Sequence, residues 1–510
     1  LLNQLEILYT LMDKENFPFQ DFQAAWRNIT LFSEHTWGAS ASGPSPEAEM
    51  TKLLWKQKQV FAFNADSLVR KITLGLHQKL NDKEQSQYIT VFNTNTWSRS
   101  DVVKVDDVKN LENKQLISKT DTASLQKIDD SWFFIARDVP ALSAKSYRIV
   151  KGNTQVSLGQ SSGEGKSIEN EYLKLQLKED GSIDKLIEKK ENHDFASVDG
   201  LNRYIHTGRN AVGPKYVDSV STKINRGPVA TILTATSRPA GTHSLLQEYI
   251  LYKHLNKLYI KNTLDKTADY DFENERFEFD FAIENPETEI DLPFSTVRPE
   301  REQLSGANKN FFSSQNGVTI TGLKHSVSLN MAQEPILELA DLTGEAWMKD
   351  RKEYLAWKRQ TSSSARVYSW VMNNSWRTNY KASQPGMATF AYTIQPLGRD
   401  SAEGKKTLLE DAQPLLAFAT RDRVEVKVPF ALSENNQLAI STMRPALDGK
   451  GIILRLINLS NRTLHNGLKY KSFTPSRVTE CTNQEKEIQQ KDGGDFWMKP
   501  HATKTFKLWF

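Results

Sequence analysis

One short segment of the sequence concentrates side chains that could do chemistry. The run Glu34-His35-Thr36-Trp37 places a carboxylate, an imidazole and an indole together where a predicted helix ends. A neutral imidazole is a common zinc ligand, and an indole offers an apolar wall against which a sugar ring can stack. A single His-Trp pair at a helix end is more often a packed, hydrogen-bonded structural corner. From these residues alone, both interpretations stay open.

Familiar catalytic and metal-binding motifs are absent from the rest of the sequence. There is no Walker loop, no HExxH, no GxSxG and no cysteine-rich metal motif. The single cysteine, Cys481, excludes an internal disulfide framework. The other histidines form no i, i+4 pair, so their spacing indicates no second metal site.

A second group of acids lies farther along the chain. Glu273, Glu275 and Glu278 belong to a segment whose phenylalanines alternate as in a β-strand. Such acids could be the catalytic carboxylates of a different carbohydrate-active enzyme. A solvated strand face is the simpler interpretation, so we expect these acids to point to water.

Composition describes an ordinary globular chain that exceeds the size of one domain. Of 510 residues, 38% are hydrophobic and 25% charged, and no stretch approaches the roughly 20 apolar residues of a membrane-spanning helix. The 66 basic and 62 acidic residues nearly balance, which gives little reason to expect nucleic acid or a membrane as partner. The chain starts at Leu1, already in helical phase, so we expect it to be cut from something longer.

Three helices are predicted first. Leucines at positions 1, 5 and 8 stripe one helix, and a second runs to about Ser33. Ser45 is the predicted cap of a third helix, with Pro46 at its first position. Because amphipathic helices cannot bury their stripes singly, we expect a three-helix bundle over residues 1–80.

After Asn81 the hydrophobic period becomes two, and we expect β-structure to the end of the chain. The clearest hairpin has alternating leucines from Leu173 to Leu177 and a turn at Asp180-Gly181. The fold class is therefore mainly β with an N-terminal α-helical bundle. A small β-domain or sandwich is predicted at 85–151, a large β-sandwich at 167–398 and a C-terminal β-sandwich at 407–510.

Several segments, in order, resemble glycoside hydrolase family 38, the α-mannosidases. They are AWRNITLFSEHTWGA, YITVFNTNTWSRSDVV, IENEYLKLQLKEDGSIDKLIEKK, INRGPVATI, NNSWRTNY and FAYTIQP. The resemblance covers nearly the whole chain, and it implies that the large sandwich is mutarotase-like. Where many members have aspartate after the zinc histidine, this chain has Thr36, so no sugar contact is assigned there.

The resemblance also implies that the active site is formed by this chain together with an upstream domain. His35 matches a zinc ligand of the family, whereas the nucleophile and the other zinc ligands belong to an upstream α/β barrel. The complete enzyme would be a zinc-dependent retaining α-mannosidase. Alone, this chain would hold no catalytic residue, bind zinc weakly or not at all, and be inactive. Its partners would be a mannose-containing glycan and the barrel of the same protein.

Four side chains are predicted to contact the sugar: Trp37, Asn374, Trp376 and Asn379. Amides and indoles suit hydroxyl recognition, but they also suit a buried turn or a plug between domains. Two other functions remain open for the chain. One is a non-catalytic carbohydrate-binding module, and the other is a different carbohydrate-active enzyme on the mutarotase-like sandwich.

Overall fold

The structure is a computed structural model that describes most of the chain. It describes all residues except 35–37, 82–85, 107, 109, 153–159, 162–164, 209–219, 344–357, 375–377, 399–400, 429, 433–436, 471–473 and 491–494. Two compact units are present. The first unit is Leu1–Ser33, Gln59–Leu158 and Gln413–Phe510, and the second unit is Glu34–Lys58 and Gly159–Ala412. No helix in the described ranges is long and apolar enough to cross a membrane.

Three N-terminal helices confirm the predicted bundle: α1 (Leu2–Met12), α2 (Phe19–Ser33) and α3 (Glu49–Leu80), with a 3-10 turn at Lys14–Asn16. Helix α1 is buried on nearly all sides because it packs into two hydrophobic cores. Leu5 and Leu8 pack into the bundle, whereas Ile7 packs into the C-terminal sandwich. Helix α3 begins at Glu49 rather than Pro46, because Ser45 accepts the Ala48 N–H in a turn that precedes it.

Strands fill most of the remaining chain. The segment after the bundle has β1 (Tyr88–Asn93), β2 (Arg99–Val105), β3 (Lys114–Ile117), β4 (Thr122–Ala123), β5 (Gln126–Ile128), β6 (Ser131–Val139) and β7 (Ser143–Lys151). The second unit has β8 (Gln160–Ser161), β9 (Ser167–Glu169), β10 (Leu173–Leu177), β11 (Ile183–Glu188), β12 (His193–Asp194), β13 (Ala196–Gly208), β14 (Val220–Arg226), β15 (Ala230–Ser237), β16 (Thr242–Tyr252), β17 (Leu258–Lys266), β18 (Glu273–Phe281), β19 (Glu287–Leu292), β20 (Ser295–Val297), β21 (Phe312–Ser313), β22 (Gly317–Thr321), β23 (Ser326–Asn330), β24 (Ile336–Leu339), β25 (Arg366–Asn373), β26 (Gly386–Leu397) and helix α4 (Ser401–Ala412). The chain ends with β27 (Leu416–Thr420), β28 (Phe430–Leu432), β29 (Leu438–Pro445), β30 (Ile452–Asn458), β31 (Leu464–Tyr470), β32 (Arg477–Cys481), β33 (Glu487–Gln490), β34 (Asp495–Met498) and β35 (Thr503–Trp509).

Two sandwiches belong to the first unit. The small one packs the sheet β27-β1-β7-β3-β4 against β2-β6-β5, and the C-terminal one packs β28-β31-β34 against β29-β30-β35-β32-β33. Strand β27 lies within the range predicted for the C-terminal sandwich, yet it pairs with β1 through Ala419↔Ile89. The small sandwich is therefore completed by a strand more than 250 residues away in sequence.

The large sandwich belongs to the second unit and has two long sheets. One has the order β21-β24-β25-β18-β13-β11-β10-β9, with β12 beside β11, and the other has β20-β19-β22-β23-β26-β17-β16-β15-β14-β8. Aromatic and aliphatic side chains from both sheets, including Phe277, Phe279 and Tyr392, form one continuous core. The predicted two-sheet architecture is confirmed.

The predicted hairpin in this sandwich is also confirmed. Strands β10 and β11 pair antiparallel, with Leu175 opposite Leu186. Gly181 lies in the turn with φ +84°, a left-handed conformation that glycine adopts without steric cost.

Helix α4 was not predicted, and the expectation of β-structure alone after Asn81 is wrong at this point. The charged residues near 399–406 fall in the gap between the two predicted sandwiches, 167–398 and 407–510. In the structure the helix packs against strands β22 and β23 of the large sandwich. Thr407 contacts the Ser328 hydroxyl at 3.0 Å, and a Cβ on Gly404 would lie 2.4 Å from Thr319.

Candidate functional site

Three of the five predicted site residues, His35, Trp37 and Trp376, lie outside the described residues. Asn374 and Asn379 are described, as are the residues that flank the other three. The structure therefore shows how the two predicted site segments are anchored, one before helix α3 and one after strand β25.

The two segments meet at a short β-bridge between Ala39 and Asn379. The Asn379 N–H donates to the Ala39 carbonyl oxygen at 2.9 Å. An added Cβ on Gly38 would lie 2.5 Å from the Asn379 carbonyl oxygen, so the close approach of the two backbones requires glycine. Residues 340 positions apart are thus brought side by side.

Helix α3 holds the same segment from the other side. The Lys58 ammonium donates to the Glu34 carbonyl oxygen at 2.5 Å, and the Trp55 indole N–H donates to the Ser42 hydroxyl at 3.1 Å. Lys381 places its ammonium 6.0 Å from the centre of the Trp55 ring. Contacts therefore anchor the chain on both sides of residues 35–37.

Asn374 is buried, and its amide is engaged by backbone groups. Its Oδ1 accepts the Glu273 N–H at 2.7 Å, and its Nδ2 donates to the Asp271 carbonyl oxygen. These bonds hold the turn that leads into strand β18. They fit the structural alternative for this residue, while a direct sugar contact by Asn374 or Asn379 stays a prediction.

Beside Asn374 lies a cluster of four charged or titratable side chains, which we call the end cluster: His206, Lys266, Glu273 and Glu275. Glu273 and Glu275 come from the start of β18, and His206 is the register partner of Glu275 on β13. Lys266 ends strand β17 in the opposing sheet. The end cluster therefore bridges both sheets at one end of the large sandwich.

The contacts within the end cluster are close. The Lys266 ammonium hydrogen-bonds Glu273 and lies 3.4 Å from Glu275 Oε1, while His206 Nδ1 lies 3.2 Å from that same oxygen. The Glu275 side chain is 1% exposed and Lys266 4%. Burial, and then the nearby Glu275 charge, raises the pKa of Glu273, an effect that Lys266 opposes.

The expectation that these acids face water is wrong. Glu273 and Glu275 have the same strand parity as Phe277, so they lie on the face that contains the core. Glu278 has the opposite parity, but that face is also covered. Strand β18 lies between β13 and β25 in the sheet and is buried on both sides. The parity was readable from the sequence, whereas the covering of the second face was not.

Glu278 is held by two arginines. Arg203 Nε donates to its Oε2 at 2.7 Å, and Arg366 Nε lies 3.3 Å from its Oε1. Arg366 also bonds Asp280 at 2.9 Å and Asp199. Burial raises the pKa of Glu278, and both guanidinium groups oppose that rise. The arrangement is a structural ion network rather than a free catalytic acid.

The end cluster contains a set of possible metal ligands that the spacing of histidines did not indicate. One ligand atom each from His206, Glu273 and Glu275 lies within 4.8 Å of the others. His206 and Glu275 are 69 positions apart, so no local motif records their contact. Only the pairing of β13 with β18 brings them together.

Comparison with protein families identifies the end of the chain. Residues 437–506 match the model described as "Glycosyl hydrolases family 38 C-terminal beta sandwich domain". Residues 437–506 are therefore similar to the C-terminal domain of glycoside hydrolase family 38. The family resemblance is thereby confirmed for the C-terminal sandwich, whose two sheets contain the matched strands β29 to β35.

Over the whole chain the likeness is one of fold. An α-mannosidase from Enterococcus faecalis V583 aligns with 100% of the chain, with a TM-score of 0.69 and 14% identity. The chain spans 65% of the length of that protein. A protein in glycosyl hydrolase family 38 from Enterococcus faecalis aligns with 99% of the chain, with a TM-score of 0.68 and 14% identity. This chain covers 68% of it. Comparison with curated protein sequences finds no match.

Proposed function

We propose that this chain is the part of a zinc-dependent retaining α-mannosidase that follows the catalytic barrel and that helps hydrolyse α-mannosides of glycans. One observation carries the proposal. The entire chain has the fold of the Enterococcus faecalis α-mannosidase while spanning 65% of it, and its last domain matches family 38.

The buried glutamates described on β18 are all engaged in ion pairs. This supports a catalytic pair of carboxyl groups that comes from another part of the protein. Retaining hydrolysis needs two carboxyl groups about 5 Å apart that both reach one sugar ring. Glu278 is enclosed between Arg203 and Arg366, and Glu273 and Glu275 are occupied by Lys266. In the proposed enzyme the nucleophile comes from the upstream barrel, and this chain positions the substrate.

The donor set at residues 34–39 suits one zinc ligand. His35 offers an imidazole between two anchored backbone points, Glu34 and Ala39. Zinc bound there would orient adjacent sugar hydroxyls and stabilise charge. The remaining ligands would come from the barrel, because one imidazole cannot fill the four-coordinate shell that zinc prefers.

An apolar helix face supports contact with such a barrel. Val60, Phe63 and Leu74 are exposed at intervals of 3 and 11 residues, so they lie on one side of α3, and Phe63 is 66% exposed. A cluster of exposed apolar side chains on one helix face is typical of a protein-protein contact. We propose that this face binds the upstream domain. In a protein extended upstream, Phe63→Asp should then lower turnover without lowering the stability of the 510-residue chain.

Turnover of an aryl α-mannoside with added zinc tests the proposal. The purified 510-residue chain should be inactive, and a protein extended through the upstream gene segment should be active. His35→Ala should lower both zinc affinity and turnover of the extended protein. His254→Ala, at an exposed histidine paired with Glu171, is the matched control and should change neither.

Other outcomes point to the alternatives. Turnover by the 510-residue chain that is lost in Glu275→Gln would support a different carbohydrate-active enzyme on the large sandwich. Inactivity of both proteins, combined with glycan binding, would support a carbohydrate-binding module.

A further inference from the structure

The end cluster has the chemistry of a cation site, and a cation already lies in it. The Lys266 ammonium bonds Glu273, lies 3.4 Å from Glu275 Oε1 and donates to the Thr267 carbonyl oxygen at 3.3 Å. Lys266 reaches these acids from the opposing sheet. The ammonium therefore shows that a positive ion fits between the two carboxylates.

The charges of the end cluster do not balance with Lys266 alone. Two ionised carboxylates face one ammonium, which leaves one negative charge when His206 is neutral. Burying uncompensated charge is costly, and both carboxylates are buried beside the one ammonium. A divalent ion would neutralise both carboxylates and could use the neutral imidazole as a third ligand.

We propose that the end cluster is a divalent-cation site, with His206, Glu273 and Glu275 as ligands, in which the Lys266 ammonium is the resident cation that a metal ion displaces. This site goes beyond the proposed glycosidase function, and it shares no residue with the site at His35. The ligand atoms are already within 4.8 Å of one another, so binding needs no strand to move.

The donor set selects the class of ion. One imidazole nitrogen and two carboxylate oxygens suit a first-row divalent ion such as Mn²⁺ or Zn²⁺, with water completing the shell. Backbone also fits closely around the ligands. Gly241 has φ +78°, and a Cβ there would lie 2.7 Å from His206 Nδ1 and 3.1 Å from Glu275 Oε1.

The proposal requires the Lys266 side chain to move away from the acids while its backbone stays in place. Its ammonium is carried on a flexible four-carbon stem at the last position of β17, and the sheet hydrogen bonds of that strand are made by its backbone. The His206 side chain, 12% exposed, lies at the outer side of the end cluster. In the ion-bound state the ion would link β13 to β18 in place of the ion pair that now joins the two sheets.

Mn²⁺ titration of the 510-residue chain, followed by calorimetry and by thermal melting, tests the site. All variants carry His35→Ala, so the proposed family site does not contribute. Lys266→Met keeps the length of the stem and removes the competing charge, so it should bind one Mn²⁺ at least about tenfold more tightly than the parent. Adding Glu275→Gln or His206→Ala to Lys266→Met should abolish that binding. Adding Glu171→Gln, at the exposed His254 pair, should leave it unchanged.

Each result decides the proposal. A folded Lys266→Met variant whose Mn²⁺ affinity equals that of Lys266→Met/Glu275→Gln would overturn it. If Lys266→Met does not fold without metal, Mn²⁺ should restore its melting transition, because an ion that binds only the folded state stabilises that state. Failure of Mn²⁺ to restore it would equally overturn the site. The proposed glycosidase function is untouched by either result, since its test depends on His35 and the upstream segment.

Discussion

Strand β18 carries buried carboxylates on both of its faces, and the two faces treat them differently. On the core face, Glu273 and Glu275 share the single ammonium of Lys266. On the opposite face, Glu278 lies between two guanidinium groups, Arg203 and Arg366. On the core face two acids share one ammonium, whereas on the other face a guanidinium group lies on each side of the fully buried Glu278.

The difference shows how a buried carboxylate that only stabilises the fold can be distinguished from one that can still bind another cation. An arginine presents several donors in a fixed fork and stays charged, so a carboxylate between two arginines is locked. A lysine carries one compact charge on a mobile stem, so two carboxylates that share one lysine can still bind a further cation. Burial alone would rank these acids as equals. The number and type of their cations distinguishes them.

A third buried acid extends the comparison to a carboxylate without a cation. Glu334 accepts the Ala391 N–H at 3.1 Å, and among the described residues no lysine, arginine or histidine pairs with it. Burial raises its pKa to about 7, and the Ala391 hydrogen bond opposes that rise. The series of Glu278, Glu275 and Glu334 thus runs from two cations to none.

The largest expected effect is at the locked acid. Glu278→Gln removes the carboxylate from between two arginines, and breaking a buried ion pair on one side costs about 3–5 kcal/mol. We expect the free energy of urea unfolding to fall by about that amount. A loss below about 1 kcal/mol would mean that Asp199 and Asp280 suffice for the arginines, and the contrast between the two faces would be lost.

The next effect is a pH dependence due to Glu334. Its folded pKa of about 7 exceeds the unfolded value near 4.5, so the folded state binds the extra proton between these pH values. Stability should therefore fall as pH rises from about 4.5 to 7, by about 3 kcal/mol in total, since one pKa unit corresponds to about 1.4 kcal/mol. Glu334→Gln should flatten this slope in urea unfolding measured from pH 4.5 to 8. An unchanged slope would assign it to other groups.

A smaller effect is expected at the shared acid. Glu275→Gln keeps a carbonyl acceptor for Lys266 and removes one of two like charges, so loss and relief partly cancel. The unfolding free energy should change by less than about 1 kcal/mol, against the larger loss in Glu278→Gln. Equal losses for the two variants would show that the faces do not differ.

The smallest effect is expected at the solvent-exposed reference pair. Glu171 lies 3.2 Å from the His254 ring, and both side chains are nearly half exposed. Glu171→Gln should change the unfolding free energy by less than about 0.5 kcal/mol, because exposed pairs contribute little. A larger change would show that urea unfolding of this chain does not distinguish buried from exposed ion pairs. The three predictions above would then need a different measurement.

Local pattern predicted much of the fold. Helix α2 ends at Ser33 and helix α3 at Leu80, as their apolar stripes indicated, and the hairpin at Gly181 has its predicted turn. These features depend on residues within one or two turns of one another, so short-range periodicity is enough. Helix α4 was missed because charged residues dominate its start and its buried side is short.

The features of the candidate sites also divide into those that local pattern indicates and those that only the tertiary structure decides. The sequence alone indicated that the EHTWG-like and NNSWRTNY segments belong to one family pattern. It also contained the strand parity that puts Glu273 and Glu275 with the phenylalanines, although the expectation that these acids point to water was wrong. Only the tertiary structure decided that Ala39 pairs with Asn379 and that Lys266 reaches the acids from the opposing sheet. It also decided that the second face of β18 is covered. Alternation along a strand specifies the face to which a side chain points. The side chains that cover that face come from segments distant in sequence, and no local pattern predicts which segments these are.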